Sequence, residues 1–236
     1  MKLPLESARG RGVHPAGAGP RSSTGHGVEV LTDILKPGVH VALWKRLLPL
    51  SSRAWLASVA NAVEPFFHEC DHTTPACVAD LAAPLAAASV GDEHHLLVED
   101  LRALTGQFLA LLWDTACRGA FGVVAHDKCR KFHADYVRAR LLTTYAGPGT
   151  EWVPEEGVCR EAMVQPAEDP AVANRSIVPN EALVRRADVG DVLVLKGHLW
   201  PGNAARGAVH RSPPVGSQRR LLFVLTANAG HPPSVS

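Results

Sequence analysis

The sequence predicts an α+β chain in which a mainly helical N-terminal part packs as a layer on an antiparallel jelly-roll barrel. Two observations carry this. Before Gly119 the apolar residues recur at helical spacing; after it they fall in short Val-, Leu- and Thr-rich runs separated by Gly/Pro turns. Short strands with no helical period between them suit an antiparallel sandwich or barrel.

Residues 1–26 are rich in Gly, Pro, Ser and Arg and have no apolar period, so they are expected to be a disordered tail. The mainly helical part is placed at 27–118. Within it, VHVALW over Val39–Trp44 follows Pro37-Gly38 and has strand composition. Trp55, Leu56, Val59 and Val63 share a helical spacing that should end before Pro65. FFHECDHTTPAC, from Phe66 to Cys77, is expected to be a loop. Two Ala/Leu-rich stretches, 78–89 and 92–118, complete the helices.

The barrel core is placed at 119–228, as one compact unit with 27–118. Its strands are expected at Phe121–Ala125, Val137–Tyr145, Glu151–Val153, Asp191–Leu195 and Leu221–Leu225, with a turn at Gly147-Pro148-Gly149. The Pro-, Glu- and Asn-rich segment 154–182 is expected to loop over the barrel mouth, and 229–236 to be a second disordered tail.

Charge excludes some functions. With 24 basic and 23 acidic side chains there is no patch to attract nucleic acid or a membrane surface, so a small-molecule partner is expected. Five cysteines, an odd number without a CxxC, read as reduced thiols. With no signal-like or membrane-length apolar run, the expected location is the cytoplasm. The oligomeric state is not legible.

The chemistry concentrates in three pieces. His133 and Asp135 form an H-x-D, which on an extended segment puts imidazole and carboxylate on one side. His210 stands on a later strand. Two histidines and a carboxylate are the facial ligand set of non-haem Fe(II) oxygenases. Arg220 follows His210 by ten residues and opens the strand RLLFVL, where a guanidinium can take a dicarboxylate's far end. An H-x-D alone is a weak signal, and only the combination has weight.

The segments LTDILKPGVHVALWKR, CRKFHADYVRARLLTTYAGPGTEW, GDVLVLKG and GAVHRSPP…RRLLFVL resemble a bacterial domain-of-unknown-function family, number 1826, over residues 30–226. That resemblance names no reaction. A more distant one, to the 2-oxoglutarate-dependent Fe(II) dioxygenases, implies a double-stranded β-helix of cupin-like form. It also implies Fe(II) at His133, Asp135 and His210, and 2-oxoglutarate held by Arg220. Arg219 competes with Arg220 for this role, and Tyr145 is the candidate hydroxyl partner of the cosubstrate.

Other residues bear on substrate or on a second metal. Glu151 is a candidate substrate contact or extra ligand, while Arg140, Asn203 and His198 are expected near the pocket. Arg138 and Arg140 are more readily explained by acidic partners than by a substrate carboxylate. Cys70, His72 and Cys77, with His68 nearby, offer ligand types in a spacing that matches no common zinc module. Cys129 and His126 lie close before His133, where a thiolate would favour zinc. The leading expectation is an Fe(II)/2-oxoglutarate dioxygenase. The alternatives are a zinc-binding or metal-handling barrel without catalysis, and a cupin-type metalloenzyme without 2-oxoglutarate.

Overall fold

The structure is a computed structural model that describes residues 21–228 apart from 90, 127–128, 167–168, 204–205 and 217. The expected tail at 229–236 and residues 1–20 of the other lie outside the described residues. In chain order the elements are β1 (Arg21–Gly25), β2 (Val39–Trp44), α1 (Leu50–Ala62), β3 (Phe66–Thr73), α2 (Ala79–Ala82), α3 (Glu93–Leu112), β4 (Cys117–Val124), β5 (Ala139–Ala146) and β6 (Glu151–Val153). There follow α4 (Arg160–Met163), α5 (Pro170–Ile177), β7 (Arg185–Arg186), β8 (Val192–Lys196), β9 (Val209–Arg211) and β10 (Arg220–Ala227). A 3-10 segment, Val28–Leu35, links β1 to β2.

The strands form two sheets, a mixed architecture with helices on the outer face of each. The large sheet has the order β1-β2-β8-β5-β10-β4-β3, and the small one β7-β6-β9. Neither closes into a barrel among the described residues. The large sheet is antiparallel except for β1, which runs parallel to β2.

Period-two alternation sorts the large sheet's side chains into two cores. Val192, Val194, Leu141, Leu221, Phe223 and Leu225 pack with α1 and α3. Their alternates Leu193, Leu195, Leu142, Leu222 and Val224 face the small sheet around Trp152. A strand buried on both faces reads as an unbroken apolar run, as VLVL in β8 does.

Three expectations need correction. Besides its helices the N-terminal part supplies β2 and β3, which are built into the large sheet on either side of the C-terminal strands. The sheet framework is therefore not confined to the C-terminal half. Phe66–Thr73 is an edge strand paired with β4 rather than a loop; its polar, largely exposed side chains hid the pairing, which rests on backbone bonds. Residues 21–25 of the supposed tail are β1, tied by Arg21 N–H to the Gly38 carbonyl at 2.6 Å.

Segment 154–182 does not cover the site. It carries α4 and α5, whose Ala173 and Ile177 pack with Phe132, Val153 and Val209 on the outer face of the small sheet.

The end of α3 contains a strained residue. Trp113 has φ +54°, with its N–H on the Ala110 carbonyl while Asp114 N–H bonds the Leu109 carbonyl. This is a Schellman cap, whose left-handed position favours glycine. Trp113→Gly is expected to stabilise the chain by ~1 kcal/mol, a few degrees in Tm, whereas Trp113→Ala keeps the Cβ penalty and should not. Equal melting temperatures for the two variants would contradict this.

Candidate metal centre

His133 and His210 face each other across an isolated antiparallel bridge. His133 N–H donates to the His210 carbonyl at 3.0 Å, and His210 N–H to the His133 carbonyl at 2.9 Å. Residues directly opposite in such a pair project to the same face, and Asp135, two residues on, shares it. The result is a cluster in which one ligand atom from each of the three lies within 4.8 Å of the others. His133 Nε2 is 3.5 Å from Asp135 Oδ1, and His210 Nε2 is 3.2 Å from Oδ2.

Each imidazole is oriented by the same device. His133 Nδ1 lies 2.8 Å from the Lys131 carbonyl and His210 Nδ1 3.1 Å from that of Ala208. A carbonyl only accepts, so each Nδ1 carries a proton; Nε2 then donates to Asp135 when the ring is protonated and presents its lone pair to a cation when it is not. Burial works to raise the Asp135 carboxyl. Its hydrogen bonds with both imidazoles, together with the charges of His210 and Arg140, outweigh that and hold it well below the usual carboxylate range. Burial lowers His210; at His133 it is outweighed by the bonds to Asp135 and the Lys131 carbonyl, so that ring is raised. A divalent cation satisfies all three groups at once.

The backbone around the triad is clamped from outside. Asn174 of α5 accepts from Phe132 N–H and donates to the Arg130 carbonyl, both at 2.8 Å. On the other flank, His198 N–H bonds the Asp135 carbonyl at 2.9 Å and Leu199 N–H the Val137 carbonyl at 3.0 Å. Gly197 makes this approach possible, since a Cβ there would sit 2.0 Å from the Val137 oxygen.

The cluster borders a cavity of about 370 Å³ between the sheets. Arg220, only 1 % exposed, is one of its walls. Its guanidinium reaches only hydroxyls: Thr150 Oγ1 at 3.2 Å, with Thr144 Oγ1 and Ser212 Oγ each at 3.4 Å. Its Nε has no hydrogen-bond partner. Burial pushes this arginine down to about 10, although the Cys129 and Glu151 charges favour its ionised form. A buried cation held only by hydroxyls is a site for an anion.

The other residues singled out from the sequence divide. Arg140 lines the cavity, with Nη1 2.9 Å from Asp135 Oδ2, and Arg138 pairs instead with Asp114. Arg219 faces the helices, where its guanidinium donates to the Val63 and Asn61 carbonyls.

Tyr145 lies on that helical face too, buried and donating to Asp100 Oδ2 at 2.5 Å, so it is not placed to meet a cosubstrate. The odd-even alternation of β5 decides this, since Thr144 takes the cavity side. Arg46 also grips Asp100, at 2.5 and 2.8 Å. Asp100→Ala would take from a half-buried guanidinium and a buried phenol the acceptor they share. It is expected to cost about 3 kcal/mol or more, while Tyr145→Phe costs about 1 and neither alters metal content. Chemical denaturation and metal analysis measure the two effects separately.

Glu151 turns to the outer face of the small sheet, where Arg186 and Arg211 (Nε at 2.7 Å) bind its carboxylate. It borders a separate cavity with Phe132 and Asn174, and is not placed as a metal ligand. Asn203 bonds the Gly197 carbonyl through Nδ2 at 2.6 Å, and the His198 ring stacks near Tyr136; neither borders the metal cavity.

Cys70, His72 and Cys77 do not converge. Cys70 packs on the helical core, and the Cys77 thiol accepts from Thr74 N–H. Among the described residues the His133/Asp135/His210 cluster is the only one with metal-binding geometry. All five cysteines are free; Cys129 borders the cavity without joining the ligand set.

Sequence reasoning missed Thr144, Thr150 and Ser212 as the shell of Arg220, Arg118 as a cavity wall, and Asn174 as a clamp. Ser212 was reachable, standing two residues past His210 and so on the same strand face. Asn174 left no signal, because its partners are 42 and 44 residues away.

The chain belongs to the family described as "Protein of unknown function (DUF1826)", which matches residues 25–226. No curated relative matches it. Among solved structures it is similar to the dioxygenase for auxin oxidation 1 from Arabidopsis thaliana in complex with 2-oxoglutarate. That pair shows 9% identity and a TM-score of 0.49, over 89% of this chain and 93% of that one. It is also similar to a Pseudomonas putida prolyl-4-hydroxylase, at 12% identity and TM-score 0.43 over 85% and 98%. Iron-bound HygX from Streptomyces hygroscopicus aligns at 11% identity and TM-score 0.42, over 87% of each chain. No helix among the described residues is long and apolar enough to cross a membrane.

Proposed function

We propose that this chain is a non-haem Fe(II)-dependent oxygenase that uses 2-oxoglutarate to oxidise a small molecule, on an open double-stranded β-helix. The observation that carries this reading is a buried arginine without a carboxylate in the same cavity as a two-histidine, one-carboxylate cluster. Holding a metal does not call for such a cation, whereas 2-oxoglutarate has a distal carboxylate to meet it. Two histidines and a carboxylate suit zinc as well as iron, so Arg220 and not the ligand set is what favours the oxygenase.

His133, Asp135 and His210 would hold Fe(II), which supplies the open coordination positions and the redox chemistry for 2-oxoglutarate and dioxygen. Arg220 would take the distal carboxylate of 2-oxoglutarate, with Thr144, Thr150 and Ser212 fixing the plane of its guanidinium. Leu142, Leu222 and Val224 would floor the cavity with apolar surface. The protein's part is to orient donors and keep the site dry.

Anaerobic addition of Fe(II) and then 2-oxoglutarate to metal-free protein is the test. A visible charge-transfer band that needs both additions is expected. A protein that retains zinc, gives no band and binds no 2-oxoglutarate would sink the reading.

A further inference from the structure

The strand register of the large sheet arranges the cavity wall in rows. On β10 the residues facing the cavity are Arg220, Leu222, Val224 and Thr226, with Asn228 just beyond. Leu222 stands beside Gly122 and Thr144, Val224 beside Ala120 and Leu142, and Thr226 beside Arg118 and Arg140. Phe67 and Glu69 of β3 extend the two middle rows. The wall is therefore a trough with one guanidinium at its first row, a middle that is apolar apart from Glu69 at its β3 edge, and two guanidinia flanking a threonine at its last. Six residues of strand separate its ends, about 20 Å along the backbone.

The metal cluster lies over this trough between the two cationic ends. Ser212, two residues past His210, reaches Arg220, while Asp135 reaches Arg140. A dicarboxylate spanning from the cluster to Arg220 occupies the first end and leaves the other for whatever is oxidised.

Arg118 is bound there only by carboxylates at the rim, Glu69 Oε2 at 2.6 Å and Asp71 Oδ1 at 3.4 Å. Those pairs are half-exposed or more, and an entering anion can replace such contacts at little cost. Arg140 has its Nε buried without a hydrogen-bond partner, and among the described residues its acidic contact is Asp135. A cation bound by Asp135 draws on that carboxylate's charge and leaves Arg140 the less neutralised.

We infer that the substrate is a small oxyanion with an apolar body, its anionic group held between Arg118 and Arg140 beside Thr226 and its apolar part over Leu142 and Val224. This rests on the oxygenase reading for the occupant of the Arg220 end. Carboxylates and phosphate monoesters share the required chemistry.

The test titrates the manganese-loaded, 2-oxoglutarate-saturated protein calorimetrically with hexanoate, hexyl phosphate and hexanamide, so that Arg220 is already occupied. At least one of the two anions is expected to bind tenfold or more tightly than the neutral amide. Whichever anion does so names the source. The preference should fall to near unity in Arg118→Gln and in Arg140→Gln, while 2-oxoglutarate affinity, titrated separately, changes less than threefold in Arg118→Gln.

Hexanamide binding as well as both anions, a preference that survives both substitutions, or no binding by either anion would overturn the inference. Failure of the oxygenase reading looks different. In that case 2-oxoglutarate itself does not bind the wild type, and the anion preference is then read on the manganese form alone with Arg220→Leu as background.

Discussion

Arg220→Leu is expected to weaken 2-oxoglutarate binding by two or more orders of magnitude and to leave metal content intact. A two-point contact between guanidinium and carboxylate contributes roughly 1.5–3 kcal/mol per hydrogen bond, so its loss spans about 3–6 kcal/mol. At 1.4 kcal/mol per decade this is a factor of at least a hundred.

The same substitution has a second, opposite effect. Without cosubstrate, the wild-type guanidinium is a buried charge with hydroxyl partners alone, and burial has pushed it down to about 10. Leucine removes a penalty on the order of 3 kcal/mol, so the ligand-free variant should melt higher than the ligand-free wild type. A site built to bind an anion is expected to be destabilising when empty. Arg219→Leu should leave 2-oxoglutarate binding unchanged, because that side chain lies on the helical face against α1. Titration calorimetry and thermal melts together check both signs. A loss that followed Arg219 would contradict the register.

His133→Ala or His210→Ala should each abolish stoichiometric metal binding. Two protein ligands cannot hold what the facial set of three holds, and the second histidine's Nδ1 bond to a backbone carbonyl does not compensate. Circular dichroism should scarcely change, since the bridge between residues 133 and 210 is made by backbone groups that alanine keeps. The metal-dependent rise in Tm should vanish as well. For the wild type at a hundredfold excess of metal over Kd that rise corresponds to about 2.7 kcal/mol. Full metal content in both variants would show that the ion sits elsewhere.

The candidate site was more legible in the sequence than the fold around it. His133, Asp135 and His210 announce themselves by residue type, and period two along a strand places the first pair on one side without any knowledge of the sheet. Arg220 and Arg219 separate on the same parity. Parity also explains the failures. Tyr145 and Glu151 each lie one residue off a cavity-facing or inward-facing neighbour, Thr144 and Trp152, and so each points the other way. Strands β1 and β3 were not legible, because edge strands of polar composition are held by backbone bonds that carry no residue-type signal. Helices α4 and α5 sit in a Pro-rich segment too short in period to register, and their job is to cover the small sheet's outer face.

An anomalous scattering map at the iron edge, from crystals grown anaerobically with Fe(II) and 2-oxoglutarate, tests the central claim most directly. One strong peak is expected within bonding distance of His133 Nε2, His210 Nε2 and an Asp135 carboxylate oxygen. Continuous density should run from it to the Arg220 guanidinium. A peak at Cys70, His72 or Cys77 with nothing at the triad, or a triad that holds only zinc with no density at Arg220, would contradict it.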